Sequence, residues 1–457
     1  MLDNLTTTKN GLFVPDKAAA DLVMVEAISL LSKNRLIEAE HAMLDALRLH
    51  PGGLYLYRKL AEVYDARGDS INAKRTRLGI LSSETEKLIT HSGNENPPAC
   101  SVGATKRRIC FPAGKVPLQP PIVCDDVSSN KAFEQSVISN DEPFVDEIKN
   151  GSLWFDGFNR ILFNSDKNPV AGNKRGSDIL IRDITRDKKP AKIDGRVFLV
   201  GNRGFNNYYH WMLDILPSFD LFKIAGYSIN PKDKIAVFNG STKFQIETLE
   251  QAGIAKSQII ELNRLSPYIE ADTIVCPFFS NAMGMQMGEW VPAAVREIYR
   301  NVLEDTNPDL AGHVPLAEKI YLARSDNARN SRNIGNEIEL ISYLKKREFL
   351  VVYAENYSVA QQVKLFSNAR VVIGAHGAGF ANMVFCKPKT ILIEFYGQHL
   401  APCYWAISNI LQLRYANLYC ASSNDDCTDD DLATRRAQGF DVKIEDVEKI
   451  LSATQSS

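Results

Sequence analysis

Apolar residues recur at three- and four-residue steps from residue 17 to residue 90, in a stretch rich in Ala, Leu, Glu and basic residues, which predicts helices throughout. A 34-residue offset aligns Ala27 with Ala61, Ile37 with Ile71, Ala39 with Ala73 and Leu44 with Leu78, and it puts Asn34 on Gly68 at a turn position. From 110 to 195 the pattern shortens to β-like pieces such as SLWFDGFNRILF, where Asp156-Gly157 between apolar runs predicts a hairpin. The next segment, NPVAGNKRGSD, is expected to be an exposed loop.

Beyond residue 196 apolar strands alternate with amphipathic helices. RVFLVGN, DKIAVFNG and YIEADTIVCP read as strands, with NNYYHWMLDILPSFDLFKIAG expected as one helix capped near Asn206 or Asn207, then KFQIETLEQAG and PAAVREIYRNVLED as helices. A second block begins at KIYLARSD and continues through LVVYAEN, RVVIGAHG, TILIEFYG and RYANLYC, with helices between, the one after LVVYAEN capped by Ser358. Regular βαβ alternation with apolar strands argues for parallel sheets covered by helices. The expected fold is α/β: two Rossmann-like domains facing a cleft, preceded by a small all-α helical-repeat domain. The boundaries fall at 1–95, 96–310 and 311–457, with linkers at HSGNENPPACSVGATKRR and TNPDLAGHVP.

Composition narrows the partners. The 457 residues carry 53 Lys+Arg against 55 Asp+Glu, a net charge of -2, which excludes a bulk-basic nucleic-acid binder. No run of eighteen apolar residues predicts a spanning helix, and MLDNLTTTKNGLFVPDK has no secretory-signal pattern. Eight cysteines without a CxxC pair suggest free thiols in a reducing compartment, and His and Cys never cluster at metal-ligand spacing, so no metal is expected.

In open α/β sheets ligands bind beyond the carboxyl ends of strands. Directly after the strand VVI stand Gly374, Ala375, His376, Gly377, Ala378 and Gly379, where glycines admit a close ligand and a helix N-terminus offers amides to an anion such as a diphosphate. The same glycines could also serve a tight turn alone. Arg324 ends another strand, and Arg329 and Arg332 stand further along the same loop, either clamping phosphate oxygens or forming a solvated basic loop. His210 and Asp214, four apart, share a helix face, so the carboxylate could orient a general base, or the histidine could be a satisfied core residue. Glu394 ends the strand TILIE, where an acid could accept from ribose hydroxyls or simply be solvated.

Taken together, NNYYHWMLDILPSF, YLARSDNARNSRNIGNE and VVIGAHGAGFANMVFCKPKTILIEF resemble, in order, the motif blocks of glycosyltransferase family 61, from about residue 100 to 420. Phe380 stands where Leu is usual, and Lys387 lies in a turn usually apolar or proline-rich. The resemblance implies a GT-B architecture and inverting, metal-independent transfer from a nucleotide sugar, a UDP-linked one being a candidate, to a glycan hydroxyl. It implies no cofactor beyond that co-substrate. On this reading His210 and Asp214 are catalytic. Arg324, Arg329, Arg332, His376, Gly377, Ala378, Gly379, Asn382 and Glu394 bind the donor, and Asn207, Tyr208 and Trp211 lie on the acceptor side.

The N-terminal repeat resembles tetratricopeptide units, which either pack on the rest of the chain or a second copy, or dock a protein partner. A bacterial cytoplasmic enzyme of capsule, exopolysaccharide or lipopolysaccharide synthesis is the expected setting, with peripheral membrane association open. A non-catalytic sugar-nucleotide scaffold and a GT-B-like epimerase are the alternatives.

Overall fold

A computed structural model describes residues 17–49, 54–77, 106–122, 133–157, 159–175, 180–181, 184, 188–280, 284–304, 312, 314–324, 333–397, 400–420 and 439–456. The chain falls into two compact units: Met1–Gly103 with Asn150–Lys192 and Ser266–Glu270, and Ala104–Lys149 with Ile193–Leu265 and Ala271–Ser457. The strands, in chain order, are β1 (Lys106–Ile109), β2 (Gly114–Pro117), β3 (Val137–Asn140), β4 (Phe144–Phe155), β5 (Arg160–Phe163), β6 (Pro169–Arg175), β7 (Ala191–Leu199), β8 (Lys234–Phe238), β9 (Ile259–Leu262), β10 (Tyr268–Phe278), β11 (Lys319–Ala323), β12 (Leu350–Tyr353), β13 (Val371–Ala375), β14 (Ile391–Tyr396) and β15 (Arg414–Tyr419).

In the first unit, helices Lys17–Ser32, Leu36–Leu49, Leu54–Ala66 and Ser70–Arg77 form two helix–turn–helix pairs. The two turns are the same motif 34 residues apart. Arg35 N–H donates to Leu30 O and Asn34 N–H to Leu31 O, as Asp69 N–H does to Tyr64 O and Gly68 N–H to Asp65 O. This pattern closes a helix through a left-handed residue, and Asn34 and Gly68 have φ of 57° and 76°. The aligned alanines 27 and 61, and 39 and 73, are all fully buried, so each pair approaches closely through small side chains. Also in this unit, the end of β4 pairs antiparallel with β5 around Asp156-Gly157, as the dipeptide predicts, and Asp156 accepts from Asn159 N–H across the turn. The NPVAGNKR stretch is not a loop: it forms β6, antiparallel to β5. Its polar residues disguise a short strand whose backbone pairs with β5.

The second unit carries two parallel arrays. β7, β8 and β9 run parallel, with β10 beside β7. The expected single helix after β7 is two, Tyr208–Asp214 and Ser218–Ile224, because Pro217 has no N–H to continue the ladder and disfavours helical geometry in the residue before it. β12, β11, β13, β14 and β15 form a five-stranded, wholly parallel sheet in that order.

Its strands are apolar on both faces, and side-chain parity assigns them to two cores. Ile320, Leu322, Val372 and Leu392 face the layer built from Val363, Phe366, Phe385 and Trp405. Tyr321, Ala323, Ile373, Ala375, Ile393 and Phe395 face Leu340, Leu344, Val447 and Ile450. The last two residues belong to a C-terminal helix, Ile444–Ser456. Chain order reverses between β11 and β13, so the sheet's switch point lies at the carboxyl ends of these two strands.

Candidate functional site

A cavity of about 570 Å³ opens at that switch point. Ala323 and Arg324 line it from the end of β11, Ala375, Gly377, Ala378 and Gly379 from the end of β13, and Ala354, Glu355 and Tyr357 from the turn after β12. Tyr208 comes from the Tyr208–Asp214 helix of the first array, Asn206 and Asn207 from the turn entering it, and Lys243, Phe244 and Glu247 from the helix Lys243–Gln251.

Backbone proximity builds this site. A Cβ on Gly374 would stand 2.6 Å from the Leu322 carbonyl oxygen, so only glycine lets β13 lie this close to β11 just before the loop. The 3-10 helix Ala378–Phe385 then begins at Gly377, an N-cap residue that has no side chain to cap the first amides, which leaves an anion-favouring end at the cavity wall. Its far end is closed by Arg296, whose Nη1 donates to Val384 O and Cys386 O.

Arg324 Nη1 donates to the His376 carbonyl at 3.0 Å, which fixes the guanidinium over the loop. Burial holds Arg324 below its usual value, while Tyr404, Glu337 and Glu355 pull it back up. A cation kept charged but poorly hydrated gains more from an arriving anion than a solvated one does.

Two histidines are each tied to a carboxylate. His210 Nδ1 lies 2.6 Å from Asp214 Oδ2 on the Tyr208–Asp214 helix. Asn207 caps that helix, its side chain accepting from the Tyr209 and His210 amides, which confirms the cap expected there. His376 Nδ1 lies 2.5 Å from Glu394 Oε1. Neither His210, Asp214 nor the His376 ring is among the cavity's lining residues. The His376 ring stacks on Tyr396 at 5.4 Å and tilts against Tyr404 at 5.5 Å.

Residues 208–393 match the family model Glycosyltransferase 61. The chain carries a glycosyltransferase domain. No curated protein matches the sequence. The matched stretch contains nearly all of the transferase's cavity: it begins at Tyr208, and only Asn206 and Asn207 among the lining residues precede it.

Three expected site residues of the transferase are placed elsewhere. Glu394 has no exposed surface: β14 runs on to Tyr396, and parity turns Glu394 into the core beside Leu392. Its Oε2 accepts from the hydroxyls of Tyr396 and Tyr415, each at 2.6 Å, so the carboxylate cannot reach a ribose. Burial, then Glu394 itself, raises both phenols well above their usual value and keeps them donors. Asn382 is fully buried as well. It accepts from Tyr208 Oη at 2.7 Å and donates to Gln362 Oε1 and Gly379 O, bracing the loop rather than facing a donor. Trp211 is a core residue whose Nε1 donates to Thr248 Oγ1.

Arg329 and Arg332 lie outside the described residues. Lys243, Glu247, Glu355, Tyr357 and Gln362 line the transferase's cavity without having been expected. Glu355 carried a readable signal, since it stands just past the apolar strand LVVY. The described cysteines are free, and burial pushes the Cys386 and Cys420 thiols up to about 12. Among the described residues no three His, Cys, Asp or Glu side chains gather as a metal site would need, and no helix is long and apolar enough to cross a membrane.

Proposed function

We propose that this protein is an inverting glycosyltransferase that moves a sugar from a nucleotide-sugar donor to a hydroxyl of a glycan acceptor. The observation that carries the reading is the convergence of Arg324 and the Gly377–Gly379 loop on one cavity at the sheet's switch point, within the stretch that matches the family. In this reaction the acceptor oxygen bonds to the anomeric carbon on the face opposite the departing diphosphate. The broken bond's electron pair leaves on the diphosphate, and the hydroxyl proton goes to a base.

Arg324 and the amides opening the Ala378–Phe385 helix supply charge stabilisation where the diphosphate departs, with no metal in the step. His376 acts through Arg324, which its carbonyl holds, and not by touching the donor. His210 is the base: a carboxylate at Nδ1 keeps the proton on that nitrogen and leaves Nε2 to take one from the acceptor. The two parallel arrays are read as the halves of a GT-B transferase divided near residue 310, and the N-terminal helices as a tetratricopeptide-like module. A role in capsule, exopolysaccharide or lipopolysaccharide synthesis rests on the family resemblance alone.

Thermal shift against a panel of nucleotide sugars tests the reading. The true donor at 100 times its Kd stabilises the fold by about 2.7 kcal/mol. Arg324→Ala, losing charged hydrogen bonds of about 1.5–3 kcal/mol, weakens that donor at least tenfold. Turnover persists in a metal chelator. A panel without any shift, together with no nucleotide release from any donor, overturns the proposal.

A further inference from the structure

We propose that Glu355 and Tyr357 form the nucleoside end of this cavity, the Glu355 carboxylate accepting hydrogen bonds from ribose hydroxyls and the Tyr357 ring lying against the base. The assignment rests on the nucleotide-sugar reading above and gives the acid role to a residue other than Glu394.

The sheet order places the carboxyl ends of β12, β11 and β13 side by side, carrying Glu355, Arg324 and the glycine loop respectively. β12 and β13 are two strand spacings apart, about 9–10 Å. A nucleoside diphosphate with its phosphates at the loop covers that span and brings its ribose to the turn after β12. In doubly wound sheets an acid just beyond the second strand is placed to meet ribose hydroxyls.

Charge gives the same direction. A carboxylate repels a diphosphate, so an acid in this cavity belongs at the neutral, hydroxyl-bearing end of the ligand. Among the described residues two carboxylates line the cavity. Glu247 is committed, accepting from Val359 N–H at 2.7 Å and lying 3.8 Å from Lys243 Nζ. Glu355 is exposed and makes no hydrogen bond among the described residues. Glu394 is sealed in the core.

The turn is also built rigidly. Gln362 Nε2 donates to Ala354 O and Tyr357 O, while its Oε1 accepts from Asn382 Nδ2, which donates in turn to Gly379 O. Two buried amides thus tie the Glu355 turn to the glycine loop, fixing both ends of the cavity in one frame. Tyr357, half-buried at the turn's end, presents an aromatic ring beyond Glu355. Base–aromatic stacking is a sequence-tolerant contact.

The experiment measures binding of UDP, GDP, CDP and ADP to the full chain by calorimetry, then compares the tightest with its 2′,3′-dideoxy counterpart. The unaltered protein favours the ribose form by about tenfold or more. Glu355→Ala, a change at an exposed side chain that leaves the fold intact, brings this ratio close to one. Because removing the charge alters both ligands' diphosphate attraction equally, the ratio isolates the hydroxyl contact. Tyr357→Ala weakens both forms alike and keeps the ratio. A ratio unchanged by Glu355→Ala overturns the inference, while Arg324-dependent binding in the same series leaves the nucleotide-sugar reading standing. If no nucleoside diphosphate binds at all, both fall.

Discussion

The two histidine–carboxylate pairs have almost the same bond and opposite surroundings. His210 and Asp214 sit four apart on one short helix, with side chains 30% and 12% exposed. His376 and Glu394 are brought together by two adjacent strand ends, at 11% and 0% exposure, and Glu394 holds two further donors, Tyr396 and Tyr415. A part-exposed imidazole with a carboxylate behind it can exchange a proton with a ligand. A sealed imidazole whose carboxylate is saturated by phenols fixes a backbone instead. Similar bond lengths therefore do not mean equal roles, and burial separates the pair proposed to hold the base from the pair proposed as a brace.

The largest effect expected on this comparison comes from His210→Ala. A positioned base contributes about 10²–10⁴-fold, so turnover falls by that factor while calorimetric affinity for the donor nucleotide holds within about twofold. Wild-type turnover in this variant would return the base assignment to another group, and lost nucleotide affinity would make the residue part of donor binding.

Glu394→Ala strikes the other pair. It leaves His376, Tyr396 and Tyr415 pointing at an empty site in the core, and removing one partner of a buried, hydrogen-bonded charge costs about 3–5 kcal/mol. Denaturant unfolding measures that loss. Asp214→Ala, at the part-exposed pair, costs about 1 kcal/mol or less. Near-equal costs for the two would mean that burial does not distinguish the pairs.

Much of this arrangement is legible along the chain. The five-stranded sheet declares itself through apolar strands of regular spacing, and Arg324 and the glycine loop stand at the carboxyl ends of two of those strands, where an open α/β sheet binds its ligand. The repeat of Asn34 and Gly68 at one offset locates two turns with the same hydrogen-bond pattern. Glu394 misleads as a strand end: the apolar run TILIEFYG continues two residues further as β14, and parity then buries it. Trp211 and Asn382 are polar-capable side chains in a motif, and only their partners, Thr248 and Gln362 with Tyr208, show that they serve packing. Lys243 and Glu247 reach the cavity from a helix distant in sequence, so no local pattern could announce them. The Pro217 break, by contrast, stood in plain view.

The smallest expected effect separates the helices that serve the two pairs. Asn207 caps the helix carrying His210, and Ser358 caps Val359–Asn368, which packs beside the glycine loop, with Gln361 Oε1 accepting reciprocally from Ser358 N–H. Either cap changed to Ala costs about 1 kcal/mol, so the two variants melt alike. Their turnover should differ. The Asn207 cap closes the first turn of a seven-residue helix, and fraying there displaces His210, three residues on, from the position proposed for the base. Val359–Asn368 has ten residues and a second anchor, Glu247 accepting from Val359 N–H, so loss of the Ser358 cap leaves the loop where it is. Asn207→Ala therefore lowers turnover several-fold without changing nucleotide affinity, while Ser358→Ala leaves turnover as it was. Equal turnover in the two variants would mean that helix-end order does not set the position of the base.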